Sequence, residues 1–254
     1  MLAAKRRQEI LELLEKMGSV SVAELSRMFQ ISEVTIRHDL TRMAREGLLC
    51  RAHGGAIPNK SASFEPPLAV RAQKNVEEKA RIAQAAADLV NDGEVILLND
   101  GTTTAQVAQK LTSKKNLTIV TNALNIANQL AGVADLRLIL LGGLYRAVTE
   151  TFVGPLVLQS LSQIRADKLF LGVDGFSLKH GVSSPNFLET EVNRAMIESA
   201  ADVIVVADHS RFGSDTLYQI APVSRIGMVV SDSGIPGEYV EALTKLGVKV
   251  VVAS

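Results

Sequence analysis

The chain has 254 residues, 27 Lys and Arg against 27 Asp and Glu, and a hydrophobic fraction of 47%. That composition provides ample core and excludes a disordered or low-complexity chain. The single cysteine, Cys50, excludes an internal disulfide, and no Cys/His spacing suits zinc, so neither metal nor cofactor is expected. The N-terminal run MLAAKRRQEI lacks the apolar stretch of a signal peptide. No apolar run approaches the roughly 18 residues of a membrane span, so a cytoplasmic protein without a membrane partner is expected.

Net neutrality hides a small asymmetry. Residues 1–57 hold nine basic and seven acidic side chains, giving +2, and the remainder is −2. Lys5 to Met17 carries Ile10, Leu13, Leu14 and Met17 at helical spacing and stops at Gly18. Ser21-Val22-Ala23-Glu24 has the form of a capping box, opening a short helix that ends near Phe29. Gln30-Ile31 makes a tight turn, and Ser32 caps a third helix running to about Glu46, with Gly47 ending it.

At 100° per residue, Ile36, Leu40 and Met43 share the buried face of this third helix. The opposite face carries Val34, Arg37, His38, Thr41 and Arg45, with Thr35 and Arg42 beside it. A capped helix, a short turn and a helix with basic groups on its outer face form a helix-turn-helix, whose second helix fits a major groove. Gly47 to Ala56 then reads as strand, glycine turn and strand, a wing that places Arg51 and His53 near phosphates or the minor groove, with Cys50 half-buried in its first strand. Ser32, Val34, Thr35, Arg37, His38, Thr41, Arg42, Arg51 and His53 are the expected DNA-facing residues. The whole of 1–57 is expected to be a winged helix-turn-helix domain.

The stretch IPNKSASFEPP, Ile57 to Pro67, lacks any period and is rich in Pro, Ser and Asn, so 58–75 is expected to be linker. Over 76–254 apolar runs alternate with helical stretches. The runs are Val95–Leu98, Leu117–Val120, Leu136–Leu141, Leu169–Leu171, Val203–Val206, Met228–Val230 and Val248–Val252. Strands apolar on both faces, separated by helices, predict an α/β domain with a mainly parallel sheet.

Ligands of such sheets bind beyond the C-terminal strand ends. Those ends read Asp100-Gly101-Thr102-Thr103-Thr104, Thr121-Asn122, Gly142-Gly143, Asp174-Gly175 and Asp208-His209-Ser210-Arg211. The first is the most informative: a glycine permits close approach, hydroxyls donate, and a following helix aims its amides at the same point. Phosphate is the expected anion, with Lys79 and Arg211 completing the charge. Asn186, Glu189, Glu191 and Arg194 open a helix near the rim, and some of them are candidates for sugar hydroxyls, although Glu191 and Arg194 also have the i,i+3 spacing of a surface pair.

The run Ser32-Glu33-Val34-Thr35-Ile36-Arg37-His38-Asp39-Leu40, with His53-Gly54-Gly55-Ala56, resembles the DeoR family of bacterial transcription regulators. Asp100-Gly101-Thr102-Thr103, Thr121-Asn122, Leu141-Gly142-Gly143, Leu171-Gly172-Val173-Asp174 and Asp208-His209-Ser210-Arg211-Phe212 carry the resemblance through the second part. The details look nearest to its amino-sugar branch. The resemblance implies a repressor of a sugar-catabolic operon, binding operator DNA as a homodimer or homotetramer and controlled by a phosphorylated sugar or sugar derivative. His38 stands where the family often has Arg. The second part is also similar to ribose-5-phosphate isomerase, which implies a rival reading as a sugar-phosphate isomerase fused to a DNA-binding domain. On that comparison Glu191 falls near the catalytic acid/base, but the glycine-rich run that should follow the isomerase's catalytic Lys reads His180-Gly181-Val182-Ser183-Ser184-Pro185-Asn186 here, and Ser177 replaces an Asp. Binding without turnover is therefore expected.

Overall fold

The computed structural model describes residues 3–59 and 61–254. Met1 and Leu2 of the expected first domain, and Lys60 of the expected linker, lie outside the described residues. The chain divides into two compact units, Met1–Pro66 and Pro67–Ser254.

The first unit runs α1 (Ala3–Met17), β1 (Val20–Ser21), α2 (Val22–Phe29), α3 (Glu33–Arg45), β2 (Leu49–Ala52) and β3 (Gly55–Pro58). The capping box forms: the Glu24 amide donates to Ser21 Oγ at 3.1 Å, and the Ser21 amide donates to the Glu24 carboxylate at 3.0 Å. The hydrogen bonds from Ser21 hold the Glu24 carboxyl below the usual carboxylate range. Gln30 closes α2 in the left-handed region, φ 55°, and the Ser32 hydroxyl accepts from the Thr35 amide to open α3. Ile10, Leu14, Leu25, Ile36, Leu40 and Met43 form the core. Within it lies an ion pair that periodicity does not reveal: Arg6 Nε is 2.6 Å from Asp39 Oδ2, with both side chains below 10% exposed.

β3 pairs antiparallel with both β1 and β2, and the β2–β3 hairpin is the wing. Cys50 is exposed rather than half-buried. Only Leu49 of β2 turns inward, and the rest of the strand faces outward.

The second unit begins α4 (Leu68–Ala72), α5 (Val76–Ala87), β4 (Val95–Leu98), α6 (Thr102–Leu111), β5 (Thr118–Thr121), α7 (Leu124–Leu130) and β6 (Arg137–Leu140). It continues β7 (Leu144–Arg146), β8 (Thr151–Val153), α8 (Pro155–Leu161), β9 (Ala166–Leu171), β10 (Gly175–Ser177), β11 (Gly181–Ser184) and α9 (Phe187–Ser199). It closes with β12 (Ala200–Val206), β13 (Tyr218–Ala221), β14 (Met228–Asp232), α10 (Gly237–Lys245) and β15 (Lys249–Ala253). The stretch 58–75 is thus not linker throughout. Leu68–Ala72 is helical, with Leu68 and Arg71 buried, and at five residues it is too short to show a period.

The seven apolar runs all become strands of one parallel sheet, in the order β15-β14-β12-β9-β4-β5-β6. Alternate residues face opposite layers. Leu97, Leu169, Val205 and Val229 pack with Val157, Met196 and Leu243 of α8, α9 and α10. Ile96, Phe170, Ile204 and Val230 pack with Ile82, Val107 and Ile126 of α5, α6 and α7. Two antiparallel features accompany this frame, the β7–β8 hairpin and the β10-β11-β13 sheet. Their strands are only three or four residues long, and they escape a reading based on apolar runs.

The order locates the functional rim. From β4 the chain winds outward through β5 and β6, then returns to place β9 on the other side of β4. The crevice between the C-terminal ends of β4 and β9 is the topological switch point of the sheet.

Candidate functional site

In the first unit, α3 presents Val34, Thr35, Arg37, His38, Thr41 and Arg42 to the exterior, with Ser32 exposed at its cap. Val34 is 71% exposed, an unusual state for a branched apolar side chain and one suited to contact with a thymine methyl. Arg37 and Arg42 rest against Glu33 and Glu46 one turn away. These are exposed pairs that a phosphate or base edge can replace at small cost. Arg51 and His53 are exposed on the wing. All nine DNA-facing candidates therefore lie on the outside of one helix-turn-helix and its wing.

In the second unit a pocket opens at the switch point. Asp100, Gly101, Thr102 and Thr103 follow β4, Gly172 to Asp174 follow β9, and Ala207, Asp208 and Arg211 follow β12. Gly101 takes φ 137°, which a residue with a side chain rarely adopts, and lets the chain turn directly into α6. The amides that open α6 have no partner within the helix and, with the positive end of its dipole, favour an anion there.

Asn99 cross-ties the rim. Its Nδ2 donates to Gly172 O at 2.9 Å, the Gly172 amide donates to its Oδ1 at 2.7 Å, and Asn193 Oδ1 lies 3.1 Å away.

Charge in the pocket is mixed. Arg71 of α4 spans Asp174 Oδ1 at 3.2 Å and Asp100 Oδ2 at 3.8 Å. Burial by itself raises the Asp208 carboxyl. The Arg211 guanidinium, hydrogen bonds from Ser210 and Asn75, and the Lys79 charge outweigh it and hold the group below its ordinary value. Glu189, 2% exposed, lines the same pocket and accepts from Arg146, from Thr149 at 2.5 Å and from Thr151 at 3.1 Å. The β7–β8 hairpin thus positions a carboxylate at the far wall.

Several expected residues stand elsewhere. Lys79 does not line the pocket: its Nζ donates to Arg71 O at 2.7 Å and to Lys74 O at 2.5 Å, clamping the C-terminal end of α4. Burial lowers its pKa from 10.5 to about 8, against the opposing pull of Asp208. Thr104 turns back to Gly101 O at 3.1 Å. Thr121 accepts from the Ala123 amide two residues on, and Asn122 donates to Phe152 O, which holds the chain after β5 against β8. Gly142 and Gly143 follow β6. The ends of β5 and β6 lie on the outer side of β4, away from the switch point, which is why these four residues do not line the pocket.

Gly175 is paired within β10 opposite Ser183. Asn186 caps α9 by accepting from the Glu189 amide at 3.2 Å. Glu191 faces outward in a 2.8 Å pair with Arg194, and the pocket takes Glu189 instead, two residues earlier and so about 200° away around the helix. His209 turns to Asp232, Nδ1 to Oδ2 2.9 Å.

Of the expected effector residues, Asp100, Gly101, Thr102, Thr103, Asp174 and Arg211 meet around one cavity. Arg71 and Asn193 line it too, though nothing in the sequence singles them out, and so does Glu189, one of the four residues expected to open a helix near the rim. The cap at Asn186 is the sequence signal that sets Glu189 near the rim. Arg71 left none, because it falls in sequence that reads as linker.

Among the described residues no group of His, Cys, Asp or Glu is arranged to hold a metal ion. No helix among them is long and apolar enough to cross a membrane.

A helix-turn-helix with a basic outer face, joined to an α/β unit with a polar pocket at the switch point of its sheet, defines a class: a DNA-binding transcriptional regulator with a sensor domain. Two family models match the chain, a DeoR-like helix-turn-helix domain over residues 6–62 and a DeoR C terminal sensor domain over 74–233. The chain belongs to the DeoR family and is a DNA-binding transcriptional repressor of that type.

Among its relatives are the putative aga operon transcriptional repressor of Escherichia coli O157:H7, 37% identical over 98% of this chain and 93% of that one. Others are the transcriptional repressor AccR of Agrobacterium fabrum, 38% identical over 98% and 97%, and the glycerol-3-phosphate regulon repressor of Escherichia coli K12, 36% identical over 94% and 95%. Among solved structures, ribose 5-phosphate isomerase A from Methanocaldococcus jannaschii aligns with TM-score 0.41 and 17% identity, covering 55% of each chain. The translation initiation factor eIF-2B of Pyrococcus horikoshii OT3 aligns with TM-score 0.45 and 16% identity over 85% of this chain and 74% of that one.

Proposed function

We propose that this protein represses an operon for catabolism of a sugar or sugar derivative, and that a phosphorylated compound of that class, bound in the switch-point pocket, sets its affinity for operator DNA. The observation that carries the reading is the meeting of the α6 N-terminus, Thr102 and Thr103 with Arg71 and Arg211 in one cavity. Helix amides and two guanidiniums supply the charge a phosphate needs. The carboxylates of Asp100, Asp174 and Glu189 are acceptors suited to hydroxyl groups on the remainder of the ligand.

On the DNA side, α3 would enter the major groove with Thr35, Arg37 and His38 toward the bases, Thr41 and Arg42 toward the backbone, and Arg51 and His53 on the flanking phosphates. A single winged helix has limited contact area, so a homodimer or homotetramer on paired half-sites is part of the proposal. The protein works in the cytoplasm, where its operator and a phosphorylated metabolite are both found. It binds without turnover: Ser177, where the isomerase has an Asp, donates to Asp215 at 2.6 Å and offers no carboxylate of its own. Control follows from differential affinity, since the ligand shifts the operator-binding arrangement only as far as it prefers the other one.

The test is fluorescence anisotropy of the full chain on its own upstream DNA at fixed salt, titrated with phosphorylated sugars and polyols and with the same compounds lacking phosphate. One phosphorylated compound should change DNA affinity, and its unphosphorylated form should not. Thr103→Val should weaken that response by about tenfold, the cost of one unmet acceptor in a closed site, and leave the affinity for DNA alone unchanged. Consumption of a sugar phosphate with no effect on DNA binding would refute the reading in favour of an isomerase.

A further inference from the structure

The switch-point pocket is almost filled by its own side chains. The space left among them is about 30 Å3. That suits a water molecule or two, and it is far below the roughly 300 Å3 at which pockets begin to enclose small ligands. A phosphorylated sugar is enclosed there only if part of the lining gives way.

The rim backbone is poorly placed to do so, because Asn99 ties the end of β4 to Gly172 through both ends of its amide. Arg71 is differently mounted. It reaches the pocket from α4, outside the sheet and its main covering helices, and its fork lies across the cavity toward Asp174 and Asp100. A five-residue helix has too few internal hydrogen bonds to hold itself in place. α4 is positioned instead by the bond from the Leu68 amide to Val148 O at 2.9 Å, by the Lys79 ammonium on the Arg71 and Lys74 carbonyls, and by the Arg71 side chain itself. It is also the first element after residue 66, where the chain passes from one unit to the next.

We propose that Arg71 reads the phosphate of the effector, turning its guanidinium from Asp174 and Asp100 to a phosphate held at the α6 N-terminus, and that α4 shifts with it. The inference rests on the reading of this pocket as a phosphate site. The exchange is chemically balanced: a planar fork that now faces two carboxylates takes a phosphate in the same bidentate manner. Asp174 and Asp100 are then released to accept from hydroxyls of the ligand. Filling the pocket and moving α4 become one event, placed at the segment through which the chain enters the second unit.

Hydrogen–deuterium exchange on the full chain, with inorganic phosphate as the probe, separates the two readings by following residues 68–75 and 101–105 independently. In the wild type, phosphate should change exchange in both segments. In Arg71→Met, phosphate should bind at least about tenfold more weakly, the loss of one charge-assisted contact. Its residual binding should protect 101–105 with no response at 68–75. Should Arg71→Met fail to fold, Arg71→Lys keeps the charge without the fork and should show weaker binding and a diminished response at 68–75.

An affinity within twofold of wild type in the folded variant, or a response at 68–75 that persists without the fork, overturns the role of Arg71 while protection at 101–105 leaves the pocket reading intact. Absence of any change at 101–105 in the wild type overturns both.

Discussion

Replacing Asp39 by Ala should unfold the DNA-binding unit preferentially, although Asp39 belongs to none of its outward surfaces. The carboxylate sits on the inner face of α3 beside Ile36, Leu40 and Met43, with Oδ2 2.6 Å from Arg6 Nε and Oδ1 4.0 Å from Arg7 Nε. The Arg6 and Asp39 side chains are 9% and 7% exposed, so water cannot take over the charge when its partner is removed. Deleting one member of such a pair costs about 3–5 kcal/mol. A unit spanning Met1–Pro66 holds in total about 3–10 kcal/mol at typical stability per residue. At about 1.4 kcal/mol per factor of ten, the folded fraction should fall relative to the unfolded by some two to three and a half powers of ten.

Hydrogen exchange of the α3 amides in the full chain reads this directly, with amides of β4 and β9 as an internal reference that should not change. Specific DNA binding should fall in parallel. The paired replacement Arg6→Met with Asp39→Leu removes both charges and should restore most of the protection, because well-packed apolar groups substitute for a buried pair at little cost. A loss below about 1 kcal/mol for Asp39→Ala, the range of exposed pairs, would refute the reasoning. So would a double variant no more stable than the single one.

Arg37→Ala should weaken operator binding by about tenfold or more while shifting the unfolding midpoint little, because its partner Glu33 is an exposed neighbour one turn away. Equal weakening on unrelated DNA, measured by anisotropy, would assign Arg37 to phosphates rather than bases. Lys79 should make stability rise with pH between about 8 and 10.5: its folded pKa is depressed, so the unfolded chain binds the extra proton across that window. The span is about 3 kcal/mol, and the stability difference between wild type and Lys79→Met, followed by urea unfolding from pH 7 to 10.5, should grow in favour of the wild type. A flat difference would count against the buried ammonium. Gly143→Ala should destabilise the second unit by about 1–3 kcal/mol, since its new Cβ would lie 2.6 Å from Val153 O and 2.9 Å from a Val157 methyl. A urea midpoint equal to wild type would show that β8 has room to move.

Most of what is local is legible in the sequence, for a physical reason, although the exposure of Cys50 is not. Helix caps and apolar periodicity are properties of adjacent residues, so the helix-turn-helix, its outward side chains and all seven strands of the parallel sheet are legible without a fold. The glycine–threonine turn after β4 is legible for the same reason. Strand order is a different kind of information, because it depends on which apolar runs find each other across the chain. That order puts the switch point between β4 and β9 and brings Asp100 to Thr103, Asp174 and Arg211 to one cavity. Thr121, Asn122, Gly142 and Gly143, equally plausible as strand ends, are left on the far side of β4. Short strands rich in polar residues carry no period, so the hairpin that holds Glu189 was invisible, and Glu191 looked equivalent to it until the turn of α9 separated them. Arg71, Lys79 and Asp39 complete the contrast. A charged side chain in sequence looks like surface, and only packing reveals that these three are buried, because their partners lie in other elements of the fold.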